Sequence, residues 1–239
     1  MSTIALVGKR VAITRPIAQS QKWVTALQKV GAVCETIPLI QINQPDDEGF
    51  AFEHAMRKIH EYAWIICTSS NGASRVAPYL PKHSSHVQLA AVGESTAQAF
   101  GREVAFMPRS ATGLALATAF PQTDGKVLLV QAQETNGDVA RTLRDRGIEL
   151  DVVAAYQTNQ RKLSAQEINR IQQCDAVLFA SGSAVRSWVA QSEANTSGAV
   201  VVIGDATLQV AKGCGLTAQA VATSASADGV VTALAGVFA

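Results

Sequence analysis

Short clusters of hydroxyl, amide and glycine residues stand directly after apolar runs, and these are the positions best suited to chemistry. Thr68, Ser69, Ser70 and Asn71 follow WIIC, and Ser181, Gly182 and Ser183 follow AVLFA. Gly93 to Thr96 follow LAAV and Gly204 to Thr207 follow VVVI, so a Gly-x-x-Thr step occurs twice. In an open α/β sheet, ligands bind outside the carboxyl ends of the strands. There a Ser or Asn caps the next helix while backbone N–H groups stay free for an anion. Each cluster alone is accounted for by capping. Taken together, Thr68, Ser69, Asn71, Gly93, Thr96, Ser181, Gly182, Ser183, Gly204 and Thr207 make a cradle of neutral donors for a carboxylate-rich ligand.

Charged and ionisable candidates are fewer. Arg15 ends the run VAITR, where a guanidinium can pair bidentately with a carboxylate or phosphate. Tyr156 lies in AAYQT, and its phenol can donate a proton or steady developing charge, although tyrosine more often packs as an anchor. Glu94 and Asp205 follow Gly93 and Gly204, where a negative charge favours a helix N-terminus. That structural role outweighs paired acid–base work. His54, His60, His83 and His86 lie away from the strand ends, with His83 and His86 in a polar, solvated loop. The cysteines, Cys34, Cys67, Cys174 and Cys214, are scattered without a CxxC, so no metal centre is expected. There is no GxGxxG after the first strand, no GxxxxGK[ST] and no GxSxG, which removes the main support for nucleotide or hydrolase chemistry.

The elements that must position these residues are written twice. VAITRP (11–16) is echoed by VLLVQA (127–132), so Gln131 stands where the first copy has Arg15. WIICTSSNGAS (64–74) pairs with AVLFASGSAVR (176–186), LAAVGESTAQAF (89–100) with VVVIGDATLQVA (200–211), and SATGLALAT (110–118) with SADGVVTAL (226–234). A repeat this long indicates duplicated α/β modules rather than a solenoid. The Val/Ile/Leu-rich runs read as strands buried on both faces of a parallel sheet. Two shorter strands are expected at 104–108 and 216–222. Helices are expected over 18–30, 49–61, 72–79, 95–101, 112–119, 136–146, 165–173, 183–192, 206–213 and 227–237. Two extended stretches, CETIPLIQIN (34–43) and ELDVVAAYQTN (149–159), end in polar residues as domain crossovers do. The direct repeat instead places one boundary near Gln122–Gly125. The pattern leaves both divisions open.

Composition narrows the function classes. With 239 residues and 48% hydrophobic content, the chain can bury one large core or two smaller ones. A net charge of +1 offers no basic face to nucleic acid or an anionic membrane, so an anionic ligand must be met locally. No apolar run approaches a membrane span, and no cleavage-type signal opens the chain; a soluble, cytoplasmic, monomeric protein is expected.

In order and spacing, these pieces resemble the uroporphyrinogen-III synthase family over nearly the whole chain. The likeness rests on VAITRP with LQKVGAVCETIPLI, on WIICTSSNGAS, LAAVGESTA, AAYQT, DAVLFASGSAV and VVIGDATLQVAKGCGL, and on the final SADGVVTAL. One departure stands after the strand at 127–131, where the family carries an arginine- and glycine-bearing loop and this chain has QAQETNGD. The resemblance implies an α/β fold of two flavodoxin-like parallel-sheet domains joined by a two-stranded β-ladder. One domain is discontinuous (1–38 plus 157–239), the other is inserted (39–155), and the active site lies in the cleft between them. It further implies cyclisation of the linear tetrapyrrole hydroxymethylbilane to uroporphyrinogen III, with loss of water, inversion of ring D and no cofactor. Tyr156 then assists loss of hydroxide, the residues of the cradle and Arg15 hold substrate carboxylates, and hydroxymethylbilane synthase is a candidate partner. The rival readings are a hinged two-domain binding protein for an anionic metabolite and a flavodoxin-like or nucleotide-using enzyme.

Overall fold

The computed structural model describes residues 3–80, 86–192 and 196–239; His83 lies outside them. In chain order the strands are β1 (Arg10–Ile13), β2 (Val33–Thr36), β3 (Ile40–Asn43), β4 (Trp64–Cys67) and β5 (Gln88–Ala91). They continue with β6 (Val127–Ala132), β7 (Leu150–Gln160), β8 (Ala176–Phe179), β9 (Ala199–Val202) and β10 (Ala220–Val221). The helices of the first half are α1 (Ile17–Lys29), α2 (Phe50–Arg57), α3 (Ser70–Val76), α4 (Glu94–Phe100) and α5 (Gly113–Ala119). Those of the second are α6 (Asp138–Asp145), α7 (Ala165–Gln172), α8 (Gly182–Ser192), α9 (Asp205–Gly213) and α10 (Ala227–Val237). Each expected helix is present within a few residues of its anticipated bounds. No helix among the described residues is long and apolar enough to cross a membrane.

The chain divides into two compact units, Met1–Gln41 with Asn159–Ala239, and Ile42–Thr158. The first holds a sheet of order β10-β9-β8-β1-β2, and the second sheet runs β3-β7-β6-β4-β5. Strands β2, β1, β8, β9 and β10 pair parallel in sequence, as do β7, β6, β4 and β5. Matched through the internal repeat, β2-β1-β8-β9 and β7-β6-β4-β5 are the same spatial order. Each sheet therefore draws its opening strand pair from one copy and its remaining parallel strands from the other. No division falls near Gln122–Gly125: β6 sits beside β4 in one sheet, and the Ala63 N–H donates to the Lys126 carbonyl at 2.8 Å.

The apolar runs explain the layering. Successive strand residues point to opposite faces, and in β4 and β6 Ile65, Cys67, Leu128 and Val130 enter one core cluster. Trp64, Ile66, Val127 and Leu129 enter the other. In the first unit Val177, Phe179, Val200 and Val202 share a cluster with the fully buried Trp188, whereas Ala176, Leu178 and Val201 pack with Trp23 and Leu27. Each Val, Leu, Ile or Phe among them contributes about 1.5–3 kcal/mol on complete burial.

Two expected strands contract. Only an isolated Ala90–Phe106 bridge remains of 104–108, because Pro108 has no N–H with which to continue a ladder. Only Ala220–Val221 remains of 216–222, because the Leu216 N–H closes the end of α9 on the Ala211 carbonyl at 2.9 Å. The stretch 34–43 is split at Pro38 between β2 and β3, which belong to different sheets.

Carboxylates fasten the first unit. Glu35 takes Arg10 at 3.1 Å and also pairs with Arg170, and the Arg170 hydrogen bond is the main influence holding its carboxyl below the usual range. Glu167 accepts from Arg161 at 2.6 Å and closes a capping box with Ser164, which brings its carboxyl down to about 2. A depressed folded pKa gives stability that is present above the ordinary value of 4.5 and lost as pH falls from there to about 2. Glu167→Gln should accordingly flatten the acid limb of stability in that window, read by urea unfolding at stepped pH. A second expectation concerns backbone approach. A Cβ at Gly198 would lie 2.2 Å from the Cys174 carbonyl oxygen, whereas one at Gly213 meets nothing. Gly198→Ala should cost about 1–3 kcal/mol and Gly213→Ala should gain about 0.4–1 kcal/mol, both measurable as shifts in the unfolding midpoint.

Candidate functional site

Tyr156 is placed by the irregular pairing of β6 and β7. The register runs regularly to Gln131–Ala154, then shifts so that Ala132 faces Tyr156. Buried to 6% exposure, the tyrosine donates from its hydroxyl to Ser69 Oγ at 2.9 Å. The same Oγ accepts the Gly72 N–H at 3.1 Å as the N-cap of α3, and the Asn71 side chain also hydrogen-bonds the phenol. Burial pushes the phenol pKa above its ordinary value, while Ser69 and Asn71 pull partly against it. A protonated phenol with fixed partners can donate a proton or a hydrogen bond at neutral pH; it is not a base. Cys67 ends the strand just before this cluster, and burial drives its thiol well up, leaving it unreactive.

The other expected residues of this unit have separate roles. Thr68 is half-buried and its N–H donates to the Val130 carbonyl at 3.4 Å. Gly93 is buried in extended backbone at the start of α4, and its carbonyl accepts from the N–H groups of Thr96 and Ala97 at 3.0 Å each. A Cβ on Gly93 would sit 3.0 Å from the Ala111 methyl. Thr96 is 1% exposed, turned into the packing rather than toward solvent.

In the first unit Ser181 Oγ accepts the Ala184 N–H at 3.2 Å at the start of α8, with Ser183 half-buried beside it. Gly182 is required by close packing, since a Cβ there would lie 2.7 Å from Val210 Cγ2 of α9. Gly204 begins α9 in extended backbone, and Thr207 is 6% exposed. Arg15 is not extended toward solvent. Its guanidinium lies 4.3 Å over the Trp23 ring and donates to Gln19 at 3.1 Å, while its Nε is buried without a partner. Burial lowers its pKa. The local cause is α1 itself, which brings Gln19 and Trp23 under the guanidinium within two turns.

Sequence reasoning assigned no role to the loop after β6. Gln131 is 9% exposed and donates to Thr135 at 3.1 Å, and the Gln133 N–H donates to the Tyr156 carbonyl at 2.8 Å. Gln133 and Asp46 exchange two bonds, at 2.8 and 2.7 Å, and Glu134 accepts the Thr158 N–H at 3.1 Å. The available signal was position: this loop follows the strand that repeats the one before Arg15. Among the described residues no group of three or more His, Cys, Asp or Glu is placed to hold a metal. Ser69→Ala should cost about 1 kcal/mol through the lost cap, and Tyr156→Phe about 0.5–1.5 kcal/mol. A double-mutant cycle in urea should return a coupling of at least ~0.5 kcal/mol, the mark of two groups in contact.

Comparison with known proteins identifies this framework. The sequence profile of the family described as Uroporphyrinogen-III synthase HemD matches residues 21–232. The chain is 28% identical over 225 residues to the Porphyrin biosynthesis protein HemD of Ruminiclostridium josui, covering 87% of this chain and 44% of that protein. It is 27% identical over 245 residues to the chloroplastic uroporphyrinogen-III synthase of Oryza sativa subsp. japonica, covering 94% and 79%. The chain thus spans less than half the length of the first of these relatives. Among solved structures, a mutant uroporphyrinogen III synthase of Thermus thermophilus is similar with a TM-score of 0.64 at 15% identity, over 94% of this chain and 96% of that one. The Helicobacter pylori 26695 uroporphyrinogen-III synthetase gives 0.60 at 17% identity, over 94% and 97%. At such identities the likeness establishes the two-sheet α/β fold. The profile match covers most of the chain and reaches into both copies of the repeat and both units, and the chain belongs to the uroporphyrinogen-III synthase family.

Proposed function

We propose that this chain cyclises hydroxymethylbilane to uroporphyrinogen III, with loss of water and inversion of ring D, in tetrapyrrole biosynthesis. The family match over residues 21–232 carries this reading. The neutral, hydrogen-bonded phenol of Tyr156 supports it chemically. The hydroxymethyl group leaves readily from an electron-rich pyrrole, so a weak acid suffices to assist departure. What the protein must supply is the folded pose in which the substituted carbon of ring D is attacked to give a spiro intermediate, and positioning of this kind accounts for most of the advantage.

In this proposal the domains are 1–38 with 157–239, and 39–155. Acetates and propionates are taken by the strand-end residues Thr68, Ser69, Asn71 and Gly93 and by Ser181, Gly182, Ser183 and Gly204. Thr96 and Thr207 support those residues from within their own units. Arg15 leaves Trp23 to meet a carboxylate, which would satisfy its unpaired Nε. The reading extends to a cytoplasmic monomer that needs no cofactor and receives its substrate from hydroxymethylbilane synthase.

Freshly made hydroxymethylbilane, incubated with the protein and then oxidised, should give the type III porphyrin in proportion to protein. Type I as the sole product at every protein concentration would sink the assignment. Tyr156→Phe should lower turnover roughly tenfold to a hundredfold, at or below the low end of general-acid contributions, without abolishing it. Undiminished turnover would remove Tyr156 from the step.

A further inference from the structure

An exposed carboxylate beside Tyr156 is at odds with a site for a polyanion. Glu134 is exposed, and its Oε2 is fixed by the Thr158 N–H at 3.1 Å. Among the described residues no lysine, arginine or histidine lies within ion-pair distance of it. The loop that carries it is tied to the same strand one step earlier, through the Gln133 N–H on the Tyr156 carbonyl at 2.8 Å. Ala132, two residues before Glu134, is the register partner of Tyr156. Tyr156 and Thr158 are two apart in β7 and so share a face of the strand. Burial is the main influence that raises the phenol pKa, and the Glu134 charge adds a small push in the same direction. Repulsion between like charges makes an unpaired glutamate costly where acetates and propionates bind. Its backbone anchor, a hydrogen bond to an ionised acceptor, keeps it there.

We propose that Glu134 supplies the counter-charge to the cation formed when the substrate loses its hydroxyl group. This rests on the synthase reading above. In the step itself the hydroxymethyl C–O bond breaks and its electron pair leaves on oxygen, which takes the Tyr156 proton and departs as water. The pyrrole nitrogen lone pair delocalises onto the methylene carbon, spreading positive charge over that ring. Attack by the substituted carbon of ring D forms the new C–C bond and passes the positive charge to ring D. Rearrangement of the spiro intermediate and loss of one ring proton restore the pyrrole, and that proton returns to the phenolate. The net change is loss of one water. A carboxylate disfavours an ionised phenol unless a cation appears at the same time, so Glu134 couples proton transfer to C–O cleavage. A fixed charge aimed at developing charge needs no reorganisation during the step.

The test uses the full chain with hydroxymethylbilane, measuring type III formation by kcat and KM separately. Glu134→Gln keeps an oxygen acceptor for the Thr158 N–H but removes the charge. It should lower kcat tenfold to a hundredfold with KM unchanged or lower and the thermal midpoint unchanged, and Glu134→Asp should recover part of kcat. An unchanged kcat in Glu134→Gln, or a raised KM with kcat unchanged, overturns the proposal while leaving the synthase reading intact. Type I product alone from the unaltered protein overturns both.

Discussion

The constraint on which the rest depends is that the central parallel strands are buried on both faces. β4, β6 and β8 have almost no solvent-facing side, and their side chains alternate into separate clusters. A strand enclosed in this way can carry polar groups only where it ends. Hydroxyls and amides therefore concentrate in the turns leading into α3 and α8, where Ser69 and Ser181 each satisfy a backbone N–H. The chemistry of the molecule is confined to strand ends because its stability occupies everything between them.

Duplication gives each sheet its order, and exchange gives each its content. Strands β1 and β2 complete the sheet built from β8, β9 and β10, while β6 and β7 complete the one built from β4 and β5. A parallel sheet accepts this exchange because the contributed piece is a whole strand–helix–strand unit whose edges match those it replaces. The copies have diverged at the ends of their first strands. Arg15 rests on Trp23, whereas its counterpart Gln131 is buried against Thr135 and leads into the loop that brings Gln133 and Glu134 onto β7. One copy thus ends its first strand in a stacked cation, the other in an anchored anion.

Much of this was legible in the order of residues. The alternation of apolar runs with helical stretches, the Ser caps and the paired Gly-x-x-Thr steps are local patterns, and they appear as strands and helices within a few residues of expectation. Proline and a helix end account for the two strands that shortened at 104–108 and 216–222. Less legible were the roles. Thr96 and Thr207 belong to the same motif as their neighbours, yet they turn inward, because each lies on the face of a short helix that packs against its sheet. Gly182 occupies a position that suggests a ligand, but the near approach of Val210 also demands it.

The sequence by itself determined the class of fold and the places where helices begin, which follow from periodicity and capping, and the family, through the likeness of its motifs to those of known members. Only the tertiary structure decided which groups meet. The Tyr156–Ser69 bond joins residues 87 apart, the Glu134–Thr158 bond joins residues 24 apart, and each depends on strand register, including the shift at Gln131/Ala132. The direct repeat pointed to a boundary near Gln122–Gly125, and the order of strands in each sheet overruled it. Register and neighbour choice arise from packing surfaces summed over whole elements, so no window of local sequence contains them.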